Sequence, residues 1–134
     1  MLLEVTRPTL KAGSADETDG NVAQTTVVYG VPLTGTKAPK AMGAADVRGW
    51  GQLDAPTDAT AVFPMDARPS SHDGSALNFA DYRRAMVSYL NASGREGNTL
   101  DPAKSVTTTE YDAWTAHGSW KPWARSTAWC SRRT

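Results

Sequence analysis

Apolar positions in this chain come in short groups separated by turn residues, and only a few follow a period. Leu2 to Leu10 suits a short strand, with Pro8 confining it to a sheet edge. Gly13 to Gly20 is polar and acidic and reads as an exposed loop. Gln24 to Val31 is β-branched and closed by Pro32 and Gly35, the best strand signal in the chain. From Thr34 to Gly74 neither a helical nor a strand period persists, and Pro39, Gly43, Gly49, Gly51, Pro56, Pro64 and Pro69 interrupt every few residues. A long run without a period argues for an extended arm rather than a compact fold. Its anchors would be Trp50, Leu53, Val62, Phe63 and Met65.

Helical spacing emerges after Leu77. Asn78 and Asp81 are placed as a capping box, and Phe79, Tyr82, Met86, Tyr89 and Leu90 recur at intervals of three and four. This predicts a helix over about 77–92, stopped by Asn91 to Gly94. Thr107 with Glu110, followed by Tyr111, Trp114 and Gly118, predicts a second helix over about 108–117. The expected fold is mostly irregular and extended, with one or two short N-terminal strands and one or two C-terminal helices. It divides into an arm over 1–76 and a small helical, tryptophan-rich anchoring region over 77–134.

Composition sharpens that expectation. Ile is absent, and many of the 40% hydrophobic residues are Ala. So little core material in 134 residues implies a chain that cannot fold cooperatively alone. Four of the five tryptophans, Trp114, Trp120, Trp123 and Trp129, lie in the last 21 residues, beside Arg125. Trp and Arg are enriched in interface hot spots. The expected interface residues are therefore Trp50, Phe63, Trp114, Trp120, Trp123, Arg125 and Trp129.

Charge and chemistry narrow the functional classes. Net charge is zero, and only Lys121 is basic between Trp114 and Trp123, which weighs against nucleic acid. A docked protein surface, or contact with lipid headgroups, suits the tail better. The single Cys130 allows no internal disulfide and favours an intracellular, reducing compartment. No apolar run reaches the roughly 18 residues of a membrane span.

Ser70-Ser71-His72-Asp73-Gly74 holds the residue types of a hydrolase triad, but neighbours on a loop seldom converge as a triad requires. His72, His117 and Cys130 lack the spacing of a zinc site, and Asp16 to Asn21 lacks the alternating ligands of a calcium loop. Catalytic residues, cofactors and metals are therefore not expected. The expectation is a non-enzymatic accessory subunit that wraps a large multi-protein assembly. An organellar setting such as a mitochondrial complex is preferred over a virion, because a shell protein would need more strand than this pattern offers. A small self-folding binding module is the other alternative.

Overall fold

The computed structural model describes residues 1–8, 22–111 and 125–129, with side chains left aside at Val22 and 125–129. Seven strands form one antiparallel sheet: β1 (Glu4–Pro8), β2 (Val22–Val28), β3 (Asp58–Phe63), β4 (Met86–Leu90), β5 (Glu96–Leu100), β6 (Val106–Glu110) and β7 (Arg125–Trp129). Each strand pairs with the next in the chain, so the sheet is an open meander with β1 and β7 at its edges. One short helix, α1 (Ala44–Arg48), and two 3-10 turns, Gly74–Ala76 and Phe79–Arg84, complete it.

This corrects the expected fold, which was mostly irregular with C-terminal helices. The first two strands overlap the segments that sequence pattern marks. The long irregular arm is overturned at Asp58–Phe63, which alternates exposed and buried positions as β3 and pairs on both sides. The helix over 77–92 is overturned too. A 3-10 turn ends at Arg84, Ala85 is extended at ψ 146°, and Met86 onward is strand. Asn78 and Asp81 do form a cap, the Asn78 N–H donating to Asp81 Oδ2 at 2.7 Å. The cap starts a 3-10 segment of only six residues, and Tyr82 and Ala85 are buried in the core. Residues 106–110 are strand β6, and the rest of the expected helix over 108–117 falls after Tyr111, outside the described residues.

Segments 29–57 and 64–85 fold back over one face of the sheet. From the sheet come Val28, Ala59, Ala61, Phe63, Val87, Tyr89 and Leu100; from the cover come Val31, Met42, Val47, Leu77, Tyr82 and Ala85. All thirteen are buried. The small side chains of Ala59 and Ala61 on β3 leave room for the cover, and Phe63 meets Tyr82 with ring centroids 5.9 Å apart. Against the expected shortage of core material, this cluster supplies a two-layer core. Alanine, discounted as core material in the sequence, is what lets the two layers close.

One crossing fixes the cover to the sheet. The Gly74 N–H donates to the Tyr29 carbonyl at 2.7 Å, and the Tyr29 N–H to the His72 carbonyl at 3.1 Å. A Cβ at Gly74 would stand 2.7 Å from Val31 Cα and 2.8 Å from the Gly30 carbonyl oxygen. Backbone meets backbone there, so only glycine fits.

Candidate functional site

Residue alternation and register separate the two faces of the sheet. Opposite the core, Thr60, Ser88, Thr99 and Thr107 are successive Cα partners across β3, β4, β5 and β6. All four are half-buried, and each carries a hydroxyl. Beside this row runs an apolar one, Val27, Val62 and Met86, of which Val62 and Met86 are exposed. From β2 to β6, Asp58 and Glu96, the partner of Leu90 across the β4–β5 bulge, are the charged residues that register places on this face. Solvated sheet faces usually carry alternating charges, and this one carries few.

Strand β1 is the second unusual element. All five of its residues are exposed, and Met1, Leu2, Leu3 and Val5 place apolar side chains in solvent. It is nonetheless held in register. The Val27 N–H donates to the Leu3 carbonyl at 2.7 Å and the Tyr29 hydroxyl to the Leu2 carbonyl at 2.8 Å. The Glu4 carboxylate accepts from Gln24 Nε2. The pairing pattern makes Leu3, Val5 and Arg7 the residues bonded to β2. The amides of Glu4 and Thr6 then face outward, and no described strand pairs with them.

The His72 loop is structural. The imidazole Nδ1 lies 3.2 Å from the Val27 carbonyl oxygen, which places a proton on that nitrogen, and Nε2 lies 4.0 Å from the Glu4 carboxylate. Asp73 is engaged elsewhere. Its Oδ1 accepts both the Ser75 hydroxyl at 2.8 Å and the Ser75 N–H at 2.9 Å, and these bonds hold its carboxyl below the usual range. The Ser71 hydroxyl accepts from the Asp73 N–H. No Ser–His–Asp relay is formed. A cavity of about 650 Å³ beside this loop is lined by Met1, Leu3, Tyr29, Gly30, Ser71, His72 and Asp73, and its wall is mainly apolar.

A buried amide pair closes the other end of the cover. Gln52 and Asn98 exchange two hydrogen bonds of 2.8 Å, and Asn98 Nδ2 also donates to Thr108 Oγ1 at 2.9 Å. Trp50 Nε1 donates to Gln52 Oε1 at 3.1 Å, so the indole is half-buried against the protein's own core. Every polar atom in this group has a partner, as a locking network requires.

Of the expected interface residues, Trp50 thus packs on the core and Phe63 lies within it at 0% exposure, so Phe63 offers no outward anchor. Trp114, Trp120 and Trp123 lie outside the described residues. Arg125 and Trp129 bound β7. Among the described residues no helix is long and apolar enough to cross a membrane, and no group of three or more His, Cys, Asp or Glu could hold a metal. The residues missed from sequence are the small ones of the outer face, whose alternation with Val87 and Leu100 is the signal that could have found them. Compared with known protein families, curated proteins and solved structures, the chain matches none.

Proposed function

We propose that this protein is a non-enzymatic structural subunit of a large protein assembly, joined through the edge and outer face of its sheet. The observation that carries this reading is β1, a strand held in register while it buries none of its five side chains. Exposed apolar edge strands are aggregation sites that monomers blunt. Here Leu2, Leu3 and Val5 flank Glu4 with exposed apolar side chains. Edge pairing with a second copy satisfies the outward amides of both copies about a two-fold axis.

A virion shell is preferred over an organellar complex. The reservation against a shell was a shortage of strand, and a seven-stranded sheet supports the change of preference. Wrapping by an extended arm is dropped with the arm itself.

Sedimentation velocity over a wide concentration range tests the reading. The purified full chain is expected to form species larger than a monomer. The Leu3→Asp/Val5→Asp double variant should stay monomeric with an unchanged far-ultraviolet circular dichroism spectrum. A wild-type chain that remains monomeric throughout refutes the proposal and leaves the self-folding binding module.

A further inference from the structure

The cavity beside the His72 loop opens next to the free edge of β1. Leu3 forms part of its wall, and the Leu3 carbonyl accepts the Val27 N–H, which places Leu3 with Val27 on the outer face of the sheet. Asp73 is the one carboxylate in the lining, and it is exposed. Its Oδ1 takes both Ser75 bonds, while no donor among the described residues bonds Oδ2. Arg7, exposed on β1, makes no ion pair among the described residues. A largely apolar recess with a spare carboxylate oxygen thus stands beside a strand that carries a spare cation.

The outward amides decide how the β1 of a second copy can lie against this one. Antiparallel pairing of two identical edges is two-fold symmetric, and it sets outward-facing residues opposite one another. A centre at Glu4 opposes two carboxylates, and a centre at Arg7 opposes two guanidinium groups; like charges directly opposite are unfavourable. A centre at Thr6 sets Glu4 against Pro8, which has no N–H to give. With the centre at Val5, Glu4 and the partner's Thr6 exchange both hydrogen bonds, and this happens twice about the axis. The same register sets Leu3 opposite the partner's Arg7. They form a non-hydrogen-bonded pair, the kind in which side chains stand closest, on the cavity side of the edge.

We propose that the cavity receives Arg7 of a second copy, the two β1 strands pairing antiparallel about a two-fold axis at Val5. The arginine stem lies along Leu3, and its guanidinium faces the free oxygen of Asp73. A long cationic side chain suits such a place, because its stem covers apolar wall while its head stays at the polar rim. This inference rests on the proposed assembly through β1 and adds its register and the site that the partner's side chain occupies.

Cysteine cross-linking of the full chain, in a Cys130→Ser background, tests the register. Val5→Cys should link two copies under mild oxidation, since opposed Cα atoms about 4.5 Å apart fall within disulfide range. Leu3→Cys should not, because its two equivalents lie four residues out of register, about 14 Å apart. Both positions are exposed, so neither change removes core. Sedimentation tests the charge pair. Arg7→Gln and Asp73→Asn should each weaken association about fivefold or more, and the two together no more than the larger alone. Asparagine keeps an acceptor for the Ser75 N–H, so the turn survives that change. A wild-type chain that stays monomeric overturns this proposal together with the assembly reading. An associating chain overturns the proposal alone if Val5→Cys fails to link, if Leu3→Cys links, or if the two charge substitutions are without effect or simply additive.

Discussion

On the covered face of the sheet Ala61, Val87 and Leu100 are register partners, and each is sealed from solvent. One residue along the same strands, Thr60, Ser88 and Thr99 form a second row of partners that stays half exposed. Apart from Leu100, both rows are built from small or β-branched side chains, so strand propensity does not distinguish them. The distinction lies in what lies above. Tyr82, Leu77, Met42 and Val31 complete the first row, whereas the second is left smooth and nearly uncharged. One face thus holds the buried core, and the other is left uncovered by the described residues. Substitutions should respond in the same divided way.

The largest stability loss is expected at Gly74, where the cover crosses the sheet. Gly74→Ala forces a Cβ into the Val31 and Gly30 backbone, and should cost about 3 kcal/mol or more, at the upper end of overpacking. The urea midpoint reports it. A loss under about 1 kcal/mol would show that the crossing is loose.

Next comes the amide lock. Asn98→Leu removes one hydrogen bond from each end of the Gln52 amide, which keeps Trp50 and Asp54, and leaves the Thr108 hydroxyl without its donor, at about 2–3 kcal/mol. Combined with Gln52→Leu, part of that loss should be recovered, since the partners are removed together. A double-mutant cycle with simple additivity would contradict a coupled network.

Two buried tyrosines make a finer comparison on the covered face. Tyr82 donates its hydroxyl to the Gly74 carbonyl at 2.9 Å, while the Tyr89 hydroxyl has no partner among the described residues. Tyr82→Phe should cost about 1 kcal/mol, and Tyr89→Phe should be neutral or stabilising. Burial, then Asp81 and Asp73, push the Tyr82 phenol from 10.0 up to about 12. Its contribution is fully present below pH 10 and is lost as pH rises through about 12, because the native state holds the proton longer. Unfolding followed across that window should show stability falling in the wild-type chain, and falling less steeply in Tyr82→Phe.

Smallest of all is the outer row. Thr60→Val and Thr99→Val should change stability by no more than about 0.5 kcal/mol. A change as large as that at Asn98 would mean the outer face is also a folding face.

How much of this was legible in the sequence depended on side-chain size. The run Thr25 to Val28 reads as strand because its residues are β-branched. Strand β3 escaped notice because its buried positions Ala59 and Ala61 are too small to register as hydrophobic. The false helix over 77–92 arose from a spacing that spans two elements. Phe79 and Met86, expected on one apolar stripe with Tyr82 and Tyr89, are both exposed, whereas the two tyrosines are buried. In β6 the β-branched Val106-Thr107-Thr108-Thr109 outweighed the capping spacing of Thr107 and Glu110.

Amide hydrogen exchange in β1 tests the central claim most directly, because this strand carries its own control. Val5 and Arg7 bond to β2 whether or not the protein associates, whereas Glu4 and Thr6 face outward. Exchange measured residue by residue at low and high protein concentration should slow at Glu4 and Thr6 as the protein associates, while Val5 and Arg7 change little. Unchanged exchange at Glu4 and Thr6 in an associated sample would contradict assembly through this edge.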